Sequence, residues 1–343
     1  MKRSLFCLLL LIAVGTLYGQ SAIGSVVLDS IYSKNLENNY GENPTRAVSV
    51  YLPPGYDQGN RRYPVIYYLH GFLNNNEVSP GMIEVLDDAI ASHKIKPFIL
   101  VVSDQRTTYD GSFYSNSRLF GNWEDFTAYD LVSYMDGTYR TLADRDSRGI
   151  TGHSMGGYGA LKLAMNHPDI FSSVYALSPG VLTVVREYGP NSDTYKDLAG
   201  IHTREELSKT YFPKVIVALA KSWSPDPDNP PFYCDFPFEY RDGEMVVHPE
   251  ILKKWYENMP LHMIDDHLEN LNKLKAIKMD WGRNSGDRFT IQCKMFSQRL
   301  ENVAVKHYAE EYIGTHVSGI WTKDGRVPNE MLPFFDAYLN FGD

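Results

Sequence analysis

Residues 149–161 read Gly149-Ile-Thr-Gly-His-Ser-Met-Gly-Gly-Tyr-Gly-Ala-Leu161, a short β-rich run that turns directly into an apolar helical pattern. At the turn, Ser154 is preceded by Gly152 and followed by Gly156, each two residues away. A sharp strand-to-helix turn strains its central residue, and flanking glycines leave room for that turn. Gly157 and Gly159 allow the helix to pack closely on the strand. The stretch therefore predicts a serine nucleophile held above the end of a sheet strand.

The base that activates this serine is predicted from chain order. A serine hydroxyl needs a base to take its proton and a carboxylate to orient that base. In architectures with this strand–turn–helix nucleophile, the three residues follow one another along the chain in the order Ser, acid, His. Two of the ten histidines, His307 and His316, follow the last strand expected before the acid. His307 falls inside the alternating run 305–312, which favours a strand-surface role. His316 lies in the loop 314–319 just beyond that strand, so we predict His316 as the base.

The acid has two candidates. Asp280 ends the predicted strand Ala276–Met279, and Asp287 follows seven residues later. Either carboxylate can reach the site from a loop after a strand, and either can instead cap the helix expected near Phe289. We favour Asp287 and keep Asp280 as the alternative.

Acyl transfer also needs backbone N–H donors directed at the developing oxyanion. Met155 supplies one, because it directly follows the nucleophile at the start of the helix. The second should come from the loop after an early strand, and the run Tyr67–Phe72 ends a strand in such a turn. The N–H group of Phe72 is our candidate. His70 lies in the same turn and is expected to brace the loop instead of acting as a base.

Short β-rich runs alternate with amphipathic helical patterns along the chain. This alternation predicts a mostly parallel sheet covered by helices on both faces. The predicted strands are Ala47–Leu52, Val65–Leu69, Pro97–Ser103, Gly149–Thr151, Ser173–Leu177, Ala276–Met279 and Val305–Tyr312. The predicted helices are Met82–Ser92, Glu124–Tyr139, Gly157–Asn166 and Thr290–Glu301.

One long interval, 181–275, interrupts the alternation. It is much longer than a crossover helix requires and includes the Pro-rich and aromatic run Trp223–Tyr240. Compact domains rarely contain structureless loops of that length. We interpret the interval as an insertion or lid with helices near 204–210 and 249–259, and a second structural layer is the alternative.

Composition and charge exclude several classes of protein. The 343 residues are 43% hydrophobic and 22% charged, as in globular proteins, and the formal net charge is −9. No stretch concentrates Lys or Arg, so a nucleic-acid partner is not expected. No Cys-x-x-Cys or His-Glu-x-x-His spacing supports a metal site, and no cofactor is expected.

The first twenty residues have the pattern of a secretory signal peptide. Lys2 and Arg3 precede an apolar run over 5–14, and small and polar residues follow. The run is too short to cross a bilayer, which requires about 20 apolar residues. We expect cleavage near residue 20, export to the periplasm or medium, and no membrane anchor in the mature chain. Cys234 and Cys293 then either form a disulfide or stay as buried thiols.

Taken together, these residues resemble the putative-esterase family of α/β-hydrolases, which contains feruloyl and acetylxylan esterases, S-formylglutathione hydrolases and mycolyltransferases. The block around Ser154 is its most specific part. The other matching stretches are Ser49–Tyr56, Tyr63–Gly71, Asn122–Asp125, Asp130–Val132, Tyr139–Thr141, Asp280–Gly282 and Glu311–His316. The resemblance implies a single α/β-hydrolase domain over residues 21–343, with the lid-like insertion at 181–275.

The resemblance also implies functional residues. Position by position, it assigns Ser154 as nucleophile, His316 as base, and the N–H groups of Phe72 and Met155 as oxyanion donors. The sequence departs from the family at one point. The family acid usually follows the glycine of the Asp-x-Gly turn after two residues, where this chain has Ser285.

The expected function is an exported serine esterase that acts on acylated carbohydrate, with feruloyl or acetyl esters of plant polysaccharide as the leading substrates. Three aromatic residues near the motifs, Trp123, Tyr158 and Trp321, are candidate substrate contacts. Two alternatives stay open. An acyltransferase would pass the acyl group to a sugar hydroxyl with the same triad, and a non-catalytic carbohydrate-binding protein could share the fold.

Overall fold

The central sheet places the ends of its parallel strands along one edge. The computed structural model describes residues 23–342, without the side chain of Asp287. In this part of the chain the sheet has eight strands in the order β1-β2-β4-β3-β5-β6-β7-β8. The strands are β1 (Ser25–Tyr32), β2 (Thr45–Leu52), β3 (Val65–Leu69), β4 (Ile99–Ser103), β5 (Arg148–His153), β6 (Ser173–Leu177), β7 (Ala276–Gly282) and β8 (Tyr308–Tyr312). β2 is antiparallel to both neighbours, and the pairs from β4 through β8 are parallel.

Helices cover both faces of the sheet. The four longest are α1 (Pro80–Ala91), α2 (Met155–Asn166), α3 (Phe212–Trp223) and α4 (Asp287–Asn302). Two further helices contain a π-helical segment. One runs through Trp123–Asp125, Phe126–Leu131 and Val132–Thr138, and the other through Val327–Met331 and Leu332–Tyr338. The shorter α-helices are Thr194–Ala199, Arg204–Ser208, Pro249–Tyr256, Pro260–Met263 and Leu268–Lys273.

Strand β3 shows how the core divides into two layers. Successive side chains of a strand point to opposite faces of the sheet. Val65 and Tyr67 therefore join the hydrophobic cluster that contains α2, whereas Ile66 and Tyr68 join the cluster that contains α1. All five residues of β3 are buried, as a strand covered on both faces requires.

The seven predicted strands are all present, and the structure adds elements that the pattern did not predict. β1 is an antiparallel edge strand in which most side chains are exposed, so it lacks the apolar run that marks a buried strand. The helix that ends at Tyr338 was also not predicted. The prediction of a mostly parallel sheet with helices on both faces is confirmed.

The interval 181–275 forms a packed layer. Its predicted helices are present as Arg204–Ser208 and Pro249–Tyr256, and a hairpin of Phe238–Arg241 and Glu244–Val247 lies between them. Helix α3 is buried along most of its length and belongs to the main hydrophobic cluster. This part of the interval is therefore packed into the core, and a lid role for the interval stays a prediction.

The two cysteines of the described chain are buried free thiols, so the structure contains the second of the two predicted alternatives. Burial raises the pKa of both the Cys234 and the Cys293 thiol, which keeps them protonated at neutral pH.

The predicted signal segment, residues 1–20, lies outside the described residues. Within residues 23–342, none of the helices combines the length and the apolar character needed to cross a membrane.

Candidate active site

Ser154 occupies a strained turn between β5 and α2. Its backbone angles are φ +60° and ψ −114°, a region that residues with a side chain rarely adopt. Such conformations cost about 1–3 kcal/mol and persist only when the surrounding structure enforces them. The Ser154 N–H group donates to the Leu177 carbonyl at 3.1 Å, which ties the turn to the end of β6. The predicted strand–turn–helix context of this serine is confirmed.

The glycines around Ser154 leave no room for a side chain. A Cβ atom on Gly156 would lie 1.8 Å from the Leu69 carbonyl oxygen, and one on Gly152 would lie 2.4 Å from that same oxygen. A Cβ atom on Gly159 would lie 2.4 Å from the ring of Tyr114. The first two contacts are with backbone, which cannot move aside without displacing β3. The turn therefore depends on glycine at positions 152 and 156.

His316 lies beside this turn. Its ring centroid is 4.6 Å from that of His153, the residue that directly precedes Ser154. The ring of Phe289 stacks on His316, with centroids 3.7 Å apart and planes 17° apart. The loop after β8 thus brings the predicted base to the nucleophile turn, whereas His307 contacts the Ser297 hydroxyl elsewhere.

The surroundings of His316 favour its neutral form. Burial lowers the pKa of His316, and His153, Arg288 and Arg326 act in the same direction. A neutral imidazole is the state that can accept the serine proton. Nδ1 of His316 is buried, and no described side chain lies within hydrogen-bond distance of it. A base of this kind normally donates from Nδ1 to the triad acid.

The favoured acid, Asp287, is the first residue of α4. Its backbone is two residues from Phe289, which stacks on the His316 ring. The side chain of Asp287 lies outside the described part of the structure, so its role as the acid stays a prediction. Ser285 occupies the position of the usual family acid and has no carboxylate to offer.

Asp280, the alternative acid, is committed to other partners. It is 2% exposed, accepts hydrogen bonds from the Tyr175 hydroxyl at 2.9 Å and the Ser178 N–H group at 3.1 Å, and forms an ion pair with Arg326. Burial raises the pKa of Asp280 to about 6. None of its described contacts is with His316.

Arg326 connects Asp280 to the loop that carries the base. Its Nε donates to the Ser318 carbonyl at 3.3 Å, and its backbone N–H donates to the Gly319 carbonyl at 2.6 Å. Asp280 is therefore linked through Arg326 to the loop that carries His316, the predicted base.

The two residues that carry the predicted oxyanion donors, Phe72 and Met155, lie close to each other beside Ser154. A Cβ atom on Gly111 would lie 2.5 Å from Met155 Sδ and 2.7 Å from the Phe72 ring, so these two side chains meet over Gly111. A Cβ atom on Gly71 would lie 3.7 Å from Ser154 Cβ, which places the Phe72 loop next to Ser154. Among the described residues, neither the Phe72 nor the Met155 N–H group donates to a protein acceptor. Both groups therefore suit an oxyanion hole.

His70 braces the Phe72 loop, as predicted. The ring is buried, Nδ1–H donates to the Gly71 carbonyl at 2.9 Å, and Nε2 accepts from the Gln105 N–H group at 2.9 Å. Burial lowers the pKa of His70 to about 4, so the ring is neutral and keeps this donor and acceptor pattern at pH 7.

Two of the three predicted substrate contacts need correction. Trp123 is 1% exposed and donates from Nε1 to the Phe120 carbonyl at 2.9 Å. Tyr158 is 0% exposed and donates to the Asn258 carbonyl at 2.8 Å. Both rings therefore lie in the hydrophobic core, where a substrate cannot reach them. Trp321 is partly buried and packs on Tyr68 with ring centroids 5.2 Å apart.

Other aromatic residues surround the site in their place. The ring of Phe72 lies 6.1 Å from that of Tyr211, which is 49% exposed at the start of α3. The guanidinium carbon of Arg288 lies 5.0 Å from the ring centre of Phe289 and 5.2 Å from that of Phe212. Of these residues, only Phe72 was predicted from the sequence to lie at the site, because the others reach it from the insertion and from α4.

His153 is a further residue at the site, and its position there was not predicted from the sequence. Its Nε2–H group donates to the backbone carbonyl of His316 at 2.8 Å. Burial lowers the pKa of His153 to about 4, so the ring is neutral at pH 7 and supplies this donor. The only signal in the sequence was its position directly before the nucleophile.

Known proteins share parts of this chain. An esterase of Mycobacterium tuberculosis, MT1326, is 35% identical over 153 residues, which is 43% of this chain and 32% of that protein. An endo-1,4-beta-xylanase/feruloyl esterase of Xylanibacter ruminicola is 33% identical over 152 residues, which is 39% of this chain and 20% of that protein. The matches thus span a third or less of each relative's length.

Two further matches, one with a solved structure and one with a family profile, cover most of the chain. A solved ferulic acid esterase covers 93% of this chain and 99% of its own, with a TM-score of 0.64 and 22% identity, so the two share the α/β-hydrolase fold. The family profile described as Esterase, putative esterase, matches residues 42–324, which is more than half of the chain. The chain belongs to the putative esterase family.

Proposed function

We propose that this chain is a carboxylic-ester hydrolase that works through an acyl-enzyme on Ser154. His316 is the base, and Asp287 is the acid that orients it. The observation that carries the proposal is the strained turn at Ser154, whose preceding residue is hydrogen-bonded to the loop that carries His316. Family membership supports the same reaction class.

In the first half of the reaction, Ser154 Oγ attacks the ester carbonyl while His316 takes its proton. The carbonyl oxygen becomes an oxyanion, which the N–H groups of Phe72 and Met155 stabilise. Loss of one such donor in a related type of site costs about 10²- to 10³-fold in kcat. The imidazolium of His316 then protonates the leaving alcohol, which departs and leaves an acyl group on Ser154.

In the second half, water enters in place of the alcohol. His316, again neutral, removes a proton from this water, which attacks the acyl carbonyl through the same oxyanion site. Collapse of the intermediate releases the carboxylic acid and returns the proton to Ser154. The neutral resting state of His316 suits both halves, because each one begins with proton removal.

The substrates we propose are acylated carbohydrates, with feruloyl or acetyl esters of plant polysaccharide first. One relative combines a xylanase with a feruloyl esterase, and one solved neighbour is a ferulic acid esterase. The aromatic rings of Phe72, Tyr211 and Phe289 around the site supply surface for a phenolic acyl group or a sugar ring. Export, expected from residues 1–20, would bring the enzyme to such polymers.

A panel of esters tests the reaction class and the acyl group. The panel contains p-nitrophenyl acetate, methyl ferulate and acetylated xylan, assayed on the wild type and on Ser154→Ala. We expect the wild type to hydrolyse at least p-nitrophenyl acetate and Ser154→Ala to lose turnover of every ester by at least about 10³-fold. Wild-type rates in Ser154→Ala would contradict the proposal. Secretion is tested by N-terminal sequencing of the protein recovered outside the cytoplasm, which should begin near residue 21.

A further inference from the structure

A cavity of about 550 Å³ opens within the insertion and has no part in the proposed reaction. Its walls come from the helix Thr194–Ala199, the segment 229–236, the strand Phe238–Arg241 and the first residues of the helix Pro249–Tyr256. None of the residues placed in the catalytic machinery lines it. The cavity is therefore separate from the proposed active site.

One wall of the cavity is aromatic. Phe238 and Tyr240 alternate along one strand of the hairpin, so their side chains point to the same face. Phe238 is buried and meets the ring of Tyr195 with centroids 5.4 Å apart. Tyr240 and Phe236 are partly exposed, and both line the cavity. Part of the ring surface of these two residues is thus exposed to the cavity.

Oriented polar groups line the rest of the cavity. The Glu239 carboxylate accepts hydrogen bonds from Arg241 at 2.8 and 2.9 Å and contacts His248 Nε2 at 3.2 Å. The Asp235 carboxylate accepts from Asn229 Nδ2 at 3.1 Å. Each carboxylate has further lone pairs, so each can accept additional hydrogen bonds from a ligand.

The charged side chains of the cavity indicate whether its ligand is anionic or neutral. The lining carboxylates of Asp235, Glu239 and Glu250 outnumber the two nearby cations, Arg241 in the lining and Lys196, whose Nζ lies 5.6 Å from the centre of the Tyr240 ring. This excess of negative charge disfavours phosphate and carboxylate ligands. Across residues 23–342, no set of three or more His, Cys, Asp or Glu side chains is arranged to hold a metal ion. A neutral ligand with many hydroxyl groups and an apolar ring face fits both walls.

We infer that this cavity is a second binding site, for a neutral oligosaccharide chain. Tyr240 and Phe236 contact the faces of the sugar rings, and Asp235 accepts hydrogen bonds from sugar hydroxyls.

The position of the cavity would allow this second site to hold a polymeric substrate near Ser154. Helix α3 begins next to Tyr211, which contacts Phe72 at the candidate active site, and it ends at Trp223. Its twelve residues make it about 18 Å long. The Asp235 N–H group donates to the Ser224 carbonyl at 2.9 Å, so the cavity wall lies at the far end of α3. A polymer bound there has its other residues at high effective concentration near Ser154. This consequence rests on the proposed function, whereas binding itself does not.

The test is calorimetric titration of the wild type with xylohexaose, cellohexaose and mannohexaose, which contain no ester. We expect at least one of them to bind, and Tyr240→Ala to weaken that binding about tenfold. Asp235→Asn, which keeps an oxygen for Asn229, should weaken it severalfold. Tyr32→Ala, at an exposed tyrosine of edge strand β1, is the matched control and should bind like the wild type.

The same variants separate the second site from the active site. Tyr240→Ala and Asp235→Asn should hydrolyse p-nitrophenyl acetate at wild-type rates while KM for acetylated xylan rises. Absence of binding by the wild type, or equal binding by the wild type and both variants, would overturn the inference. Failure of the wild type to hydrolyse any ester would refute the proposed function and leave the binding result intact. If Tyr240→Ala does not fold, Asp235→Asn decides.

Discussion

His153 donates a hydrogen bond from Nε2 to the backbone carbonyl of His316 at 2.8 Å. The residue before the proposed nucleophile therefore holds the loop that carries the proposed base. The loop is otherwise open to solvent at Ile313 and Val317, which are 84% and 67% exposed. His153 is a positioning residue in this account.

Replacement of His153 tests this role. His153→Ala should lower kcat for p-nitrophenyl acetate about 10- to 100-fold with a smaller change in KM, because displacement of a catalytic group by about 1 Å can cost 10²-fold. His153→Gln retains an N–H donor and should recover most of the loss. Steady-state kinetics of the two variants provide the measurement. A kcat for His153→Ala within twofold of the wild type would show that the hydrogen bond does not position the base.

The two candidate acids should fail in different ways. Asp287→Asn should lower kcat by up to about 10⁴-fold and leave the melting temperature nearly unchanged, since it alters the orientation of the base. Asp280→Asn leaves the buried Arg326 without its counter-ion and should lower the free energy of unfolding by about 3–5 kcal/mol. Kinetics and thermal melts of both variants make the comparison. A folded, fully stable Asp280→Asn with the larger loss of kcat would exchange the two roles.

The turn at Ser154 should not tolerate a methyl group. Gly156→Ala places a Cβ atom 1.8 Å from the Leu69 carbonyl oxygen and should lower the free energy of unfolding by about 1–3 kcal/mol or more and reduce ester hydrolysis. Gly137→Ala is the matched control, because its Cβ atom would have nothing within 4 Å. That control should be stabilised by up to about 1 kcal/mol. Equal stability of the two variants in urea unfolding would contradict the expected clash.

The stability of the protein should depend on pH through His70. The folded-state pKa of His70 is lowered to about 4, below the unfolded value of about 6.5. The unfolded chain then binds the proton more readily, so this contribution is complete above pH 6.5 and is lost as the pH falls toward 4. The expected loss is at most about 1.4 kcal/mol per pH unit.

The comparison with a variant isolates this contribution from other titrating groups, including Asp280, whose raised pKa acts in the opposite direction. His70→Gln does not titrate. The difference in free energy of unfolding between wild type and His70→Gln should therefore shrink between pH 7 and pH 4. A difference that stays constant over this range would show that His70 keeps the same pKa in the folded and unfolded states.

Much of the fold could be predicted because buried parallel strands are marked locally. The strand Val65–Leu69 was predicted with its observed bounds, since all five residues are apolar and turn residues flank the run. β1 was missed because an edge strand paired on one side needs little apolar surface. The nucleophile turn was predictable because its glycines are required by contacts within a few residues and with β3.

The surroundings of the site were less predictable because they depend on which elements meet in space. Trp123 and Tyr158 are near the motifs in sequence but lie in the core. Helix α2 is buried from Met155 to Met165, so it offers no polar face from which the direction of Tyr158 could be inferred. The contact of His153 with His316 joins residues far apart in the chain and leaves no local pattern.

Turnover should leave the acyl group covalently bound to Ser154. The most direct measurement is mass spectrometry of peptides from enzyme quenched in acid during turnover of p-nitrophenyl acetate. We predict one added acetyl group on the peptide that contains Ser154, more of it in Asp287→Asn if deacylation becomes slower, and none in Ser154→Ala. An acetyl group on another residue, or wild-type turnover by Ser154→Ala without any acylated peptide, would contradict the account.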